Sequence, residues 1–220
     1  MLLISIGFMF QEATAQFNTS LFTGIHVSSF ESSQNLITTH PLTNLTGGVA
    51  LSYDLDEKLA VSTGLIFTKK GFSINQSTSF NVLGIDLPVG AKAETSVNYL
   101  EVPLLLQLKL TDRLKVKPYV AGGPVIAYAT SGHIRTKATA IIDFNIAETP
   151  LQLDSPDYNR TQILGQIKGG IAWPYGDLGH FITEVIYSHS FTDLISENYA
   201  VDIGGRHKGW TLNVGYGMRF

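Results

Sequence analysis

Six charged residues, Lys70, Glu101, Lys109, Lys168, Glu184 and Arg219, sit in stretches where large apolar residues recur at every second position. In an extended chain this puts each charge on the face opposite the apolar one. If that second face closes on itself, the charges share a low-dielectric interior, where an unpaired one is costly. Lysine and glutamate should therefore pair. Lys168 and Glu184 lie about equally far from the centre of a short turn at 174–179, so on adjacent strands their side chains meet across the hairpin. Lys70 and Glu101 are placed to do likewise. The pattern predicts a salt-bridged plug or, as the sharper alternative, a gated or proton-conducting file.

Histidine offers a second chemistry. His26, His40, His133, His189 and His207 fall toward one end of the alternating segments, with Ser188, Ser190, Asp193, Glu197 and Asp202 near some of them in sequence. Serine, histidine and carboxylate are the parts of a nucleophilic hydrolase. Here they lack the spacing that such chemistry needs: the chain contains neither G-x-S-x-G nor H-E-x-x-H. There is no cysteine, which removes disulfides, thiolate metal sites and a thiol nucleophile. No metal or other cofactor is expected. Triplets such as Asn44-Leu45-Thr46 are read as chance matches to a glycosylation signal.

The elements that carry these residues are strands. Trp210, Leu212, Val214, Tyr216, Met218 and Phe220 occupy one parity, against Thr211, Asn213, Gly215, Gly217 and Arg219 on the other. The same two-faced writing recurs at 45–53, 59–70, 100–110 and 163–173, and less regularly at 21–27, 116–128 and 181–187. That makes eight strands. Segments of about ten alternating residues match the ~9 to 11 that a tilted strand needs to cross a bilayer. Connections alternate long and short: 30–43, 73–96, 131–159 and 192–207 are long, whereas 54–58, 111–115 and 174–179 are short. Such alternation is the outer-membrane arrangement, with short turns in the periplasm and long loops outside. Alternation in Ala140, Ile142, Phe144 and Ile146 suggests that one long loop extends the barrel as a hairpin.

Composition agrees. Charged residues are 15% of the 220, against roughly 25% in soluble domains. A soluble lipocalin-like barrel would carry Lys, Glu and Thr on its water face, whereas the second face here is largely Gly, Ala, Ser, Thr and Asn, which suits a crowded lumen. Aromatics at Tyr53, Tyr99, Tyr119, Tyr128, Trp173, Tyr175, Tyr187, Phe191 and Trp210 gather toward strand ends, as interfacial girdles require. Pro103 and Pro124 each remove a ladder donor, so a bulge or a gap in pairing is expected at both, and strand five can end at the second. A net charge of −3 with no basic run gives nucleic acid no footprint. At the N-terminus a short apolar run over 2–10 precedes Ala13-Thr14-Ala15, a small-x-small site before Gln16. The basic n-region is missing, which points to a start assigned too far downstream. The expected organisation is a signal peptide over 1–15 and, over 16–220, an all-β, eight-stranded antiparallel up-and-down transmembrane β-barrel.

Four motifs carry a family resemblance: Gly64-Leu65-Ile66-Phe67 with Lys69-Lys70-Gly71; Tyr99-Leu100-Glu101-Val102-Pro103-Leu104-Leu105-Leu106; Pro118 to Pro124; and Gly215 to Phe220. Together they resemble the bacterial outer-membrane β-barrel-domain family often labelled PorT-like or porin-family, across almost the whole mature chain. The resemblance implies an eight-stranded barrel in the outer-membrane lipid and a terminal aromatic, Phe220, of the sort the barrel assembly machinery recognises. It implies no activity, although some relatives are linked to protein secretion.

An eight-stranded barrel is just wide enough for its own side chains, which argues against a solute pore. Function is then expected in the long loops at 73–96 and 131–159, which exceed the ~12 to 15 residues at which an unstructured connection becomes unusual. The expectation is a non-enzymatic barrel presenting loops to an extracellular ligand or protein partner. An accessory role in secretion is the alternative, followed by an outer-membrane hydrolase and a soluble ligand binder.

Overall fold

A computed structural model describes residues 17–32, 39–82, 85–111, 115–139, 143–154, 158–176, 179–192 and 205–219. These form nine strands: β1 (Phe17–Ser32), β2 (His40–Asp54), β3 (Leu59–Val82), β4 (Ile85–Lys109), β5 (Lys117–Thr139), β6 (Asp143–Pro150), β7 (Thr161–Tyr175), β8 (Gly179–Ser190) and β9 (Gly205–Arg219). Eight of them close a barrel. Each pairs antiparallel with its neighbour in the circuit, β5 meets β7 directly, and β1 closes on β9 from Asn18↔Arg219 to Ser32↔Gly205. The ninth, β6, pairs among the described residues with the far end of β5 alone, from His133↔Pro150 to Thr139↔Asp143.

The outward parity is that of the large apolar residues. Leu21, Leu45 and Ile167 are 66%, 76% and 68% exposed, a loss that water would not tolerate across a whole barrel wall and that lipid tails reverse. Outward aromatics pair near the short turns, Phe17 with Tyr53 at 5.1 Å and Phe181 with Tyr216 at 5.2 Å, and toward the other end, Tyr187 with Trp210 at 5.0 Å. Two expected girdle members are not among them. Tyr99 and Tyr119 are buried in the lumen. They share the inward parity of Glu101 and Ala121, and Gly170, whose missing side chain leaves room for the Tyr119 ring, makes the inward position possible.

Strand five does not end at Pro124. The proline pairs with Gly165 on β7, and its missing donor faces β4, where the pairing skips from Pro103↔Val125 to Leu106↔Gly122 without a change of register. Pro103 faces the other way: β3–β4 pairing skips from Thr63↔Leu104 to Ile66↔Glu101, again without a change of register, so the two prolines open their gaps in neighbouring seams. The shift of register comes further along, between Asn98 and Tyr99.

The short turns are held locally. Asp56 Oδ1 accepts hydrogen bonds from the Lys58 and Leu59 amides at 2.6 and 2.7 Å, and these hold its carboxyl below the usual carboxylate range. Gly176 stands after β7 with φ of 69°, a conformation that glycine adopts at no steric cost. At the opposite end the long connections at 73–96 and 131–159 are mostly strand. β3 and β4 pair from the barrel up to Val82↔Ile85, and β5 with β6 continues the same surface, so four strands rise as a sheet beyond the barrel. Ala140 and Ile142 lie outside the described residues, as do the 1–15 segment, Gln16 and Phe220.

Candidate functional site

Alternation leaves one face of eight strands to fill the lumen, and the polar residues on it assemble in layers. Midway, Lys168 Nζ lies 2.7 Å from Glu184 Oε1, which also accepts a 2.6 Å hydrogen bond from the Tyr119 hydroxyl. The Lys168 ammonium lies 5.8 Å from the centre of the Tyr119 ring. These three side chains come from β7, β8 and β5 and form a belt across the barrel. Toward the long-loop end, Lys70 lies 2.5 Å from Glu101 and 5.3 Å from the centre of the Tyr99 ring. Tyr99 accepts from Gln162 at 2.9 Å and meets the Tyr158 hydroxyl at 3.1 Å.

Of the six lumen charges expected, the structure brings four together as two buried pairs. The other two, Lys109 and Arg219, gather instead on Asp54 near the short turns, at 2.8 and 3.8 Å. Sequence reasoning missed Asp54. It closes β2 on the lumen parity of Ala50 and Ser52, and one more step of that alternation would have found it. Here the lumen opens as a vestibule of about 730 Å³, walled by Asp54, Lys109, Lys117, Tyr119, His180 and Arg219 among others.

The other end is closed. Leu153, which follows β6, turns inward and packs with Val97, Tyr99, Val125 and Leu164, and Leu151 and Tyr158 pack against this cluster. Backbone bonds fix the segment: the Leu151 amide donates to Gly132 at 2.8 Å and the Ala129 amide to Arg160, also at 2.8 Å. The molecule is therefore a closed eight-stranded wall, apolar outside, with a polar interior open at the short-turn mouth and capped at the other.

That wall decides the comparison with known proteins. The profile of the family described as "Outer membrane protein beta-barrel domain" matches residues 10–196. The chain belongs to this family. It is a bacterial outer-membrane barrel, surrounded by outer-membrane lipid. No curated protein matches it. Among solved structures it is similar to AlkL, determined in DMPC bilayers, with 14% identity, 94% of this chain and 90% of that one covered, and a TM-score of 0.51. Neisserial surface protein A matches at 10% identity over 93% and 97% of the two chains, TM-score 0.48. OprG from Pseudomonas aeruginosa matches at 14% over 94% and 96%, TM-score 0.45. At such identities the likeness concerns the fold alone.

The histidines of this outer-membrane barrel part company. His26 and His207 are buried in the lumen; His26 Nδ1 is 2.7 Å from the Thr211 hydroxyl and the His207 ring is 6.2 Å from that of Tyr99. His189 has the outward parity and stacks edge-on with Phe191 at 5.9 Å, while Ser190 faces inward and donates to the Thr192 carbonyl at 2.9 Å. Neighbours in sequence thus point to opposite sides of the wall. Asp193, Glu197 and Asp202 lie outside the described residues. Among the described residues, no group of three His, Cys, Asp or Glu side chains has metal-binding geometry.

The sheet beyond the barrel carries its own charges. Glu94 bridges Lys92 and Lys137 at 2.9 and 2.8 Å, and Arg135 meets Glu148 at 3.2 Å. Burial alone would raise the Glu94 carboxyl, but the Lys137 and Lys92 hydrogen bonds outweigh it and hold the group below its ordinary range. The hydrogen bond from Arg135 likewise lowers Glu148.

Proposed function

We propose that this outer-membrane barrel is a non-enzymatic scaffold that displays a folded binding surface, the β3–β6 sheet, to an extracellular protein or glycan, and that it passes no solute. The observation that carries this reading is the contrast at the long-loop end. There the chain spends residues both on capping the lumen with Leu153 and on raising four paired strands past the cap. A loop needed only to connect strands would be short. Assembly of the barrel through its terminal Phe220 by the barrel assembly machinery belongs to the same reading.

The test shortens the sheet. Joining Phe72 to Thr95 and Gly132 to Leu151 by tight turns removes it while keeping the barrel, whose folding is checked by heat-dependent gel mobility. The purified full chain and the shortened chain are then compared for binding of surface glycans and secreted proteins, and cells carrying each are compared for export of surface proteins. Loss of binding with export intact supports display. Loss of export with binding intact favours an accessory role in secretion, and hydrolysis of lipid or peptide by the full chain, abolished by both His189→Ala and Ser190→Ala, overturns the non-enzymatic reading.

A further inference from the structure

The lumen contains more buried polar atoms than its side chains can satisfy. Among the described residues Ser62 Oγ, Gln166 Oε1, Asn213 Oδ1, Gln162 Oε1, His26 Nε2 and His207 Nδ1 are buried without a hydrogen-bonding partner. Native interiors leave few such atoms, and where several occur together in a polar cavity bound water is the ordinary remedy. Their positions follow a direction. Ser62 lines the vestibule wall. Asn213 stands opposite Glu184 in the β8–β9 ladder, at the belt. Two residues further along β9, Thr211 holds His26 at 2.7 Å. His207 comes next on the same strand, and across the barrel from it Tyr99 takes the hydrogen bond of Gln162. Beyond that level stand Val97 and the cap residue Leu153, which pack down onto Val125 and Leu164 of the wall.

We infer that the lumen holds a water-filled half-channel, entered from the short-turn mouth, ending at the His26 and His207 pair, and stopped there by Leu153. It carries water and protons, not solutes, because the Lys168–Glu184 and Lys70–Glu101 pairs with Tyr119 and Tyr99 narrow the cross-section without sealing it. An imidazole suits the end of such a file, since it can take a proton at one ring nitrogen and release one at the other. His26 has one nitrogen on Thr211 and the other open. The charged and titratable groups that face the pair are Lys70 from β3 and Glu101 and Tyr99 from β4, with Tyr158 behind Tyr99. Protons thus reach the interior from the periplasmic side, and among the described residues the apolar cluster around Leu153 stands between the pair and the outer face.

Two measurements on the full chain test this. In lipid bilayers, polarisation transfer from water to the ring nitrogens of labelled histidines should reach His26 and His207 about as readily as His180 in the vestibule wall. Dry rings at both positions would overturn the half-channel whether or not any variant folds. In vesicles loaded with a pH-sensitive dye, wild type should be nearly proton-tight, whereas Leu153→Ser, confirmed as folded by gel mobility, should leak protons several-fold faster. Adding His26→Phe should abolish the leak. A folded Leu153→Ser barrel as tight as wild type would show that Leu153 is not the barrier. Neither result depends on what the external sheet binds, so the display reading stands or falls separately.

Discussion

The lumen and the external sheet use the same residue types to opposite ends. Lys168 and Glu184 keep 10% and 8% of their side-chain surface and lie inside the wall; Arg135 and Glu148 keep 42% and 48% and lie above it. Both pairs join neighbouring strands. In the lumen each charge is buried away from bulk water, so its partner is indispensable, and the pair fixes where three strands meet. Above the membrane water competes for both partners, and the pair adds little beyond a preference in register. Placement relative to lipid, not the pairing itself, sets what a salt bridge does in this barrel.

The comparison breaks first at the belt. Glu184→Ala should cost the folded barrel about 3–5 kcal/mol, because Lys168 is left buried and uncompensated. Urea unfolding in detergent, followed by heat-dependent gel mobility, measures it. Combining Glu184→Gln with Lys168→Met should recover most of the loss, since the amide oxygen can still accept from Tyr119 while the unpaired charge is gone. If the double variant were as weak as Glu184→Ala, desolvation would not be the cause. A smaller effect is expected at Gly170, where a methyl group would strike the Tyr119 ring. Gly170→Ala should cost about 1–3 kcal/mol, the usual penalty for overpacking a filled site. The same assay reads it, and tyrosine fluorescence should report the displaced ring.

Much of this contrast was legible in the sequence because lipid enforces it. A strand in the wall must keep one face apolar, so period two is written into 210–219 and 100–109 without a slip, and parity with distance from the turn brought Lys168 and Glu184 together on the lumen face, where they meet as diagonal neighbours, Lys168 facing Ile186 and Glu184 facing Gly170. The misplacement of Tyr99 and Tyr119 came from reading aromatics by their distance from strand ends when parity already put them inside. Asp54 was missed because turn residues were taken to begin there. Outside the membrane the constraint lapses. The alternation of Ile85, Leu87 and Val89 with Asp86, Pro88 and Gly90 runs past the length that a bilayer-crossing strand needs, so 73–96 read as a loop although its two halves pair. Leu153 had no such signal, since it follows β6 and its inward turn is a matter of tertiary packing.

The least disruptive changes sharpen the external half. Glu94 has a depressed carboxyl, so its pairing with Lys137 and Lys92 contributes fully above the ordinary carboxylate range and fades as pH falls through the lowered value. Lowering the pH from neutral into that acid window should therefore speed amide hydrogen exchange along Lys92↔Lys137 and its neighbours before the barrel loosens. Lys137→Ala should produce the same local change already at neutral pH. Arg135→Ala, by contrast, should leave the unfolding midpoint unchanged, because water replaces what Glu148 loses. A midpoint shifted as far as that of Glu184→Ala would mean that the sheet above the membrane is coupled to the wall, and that the two regions share one stability after all.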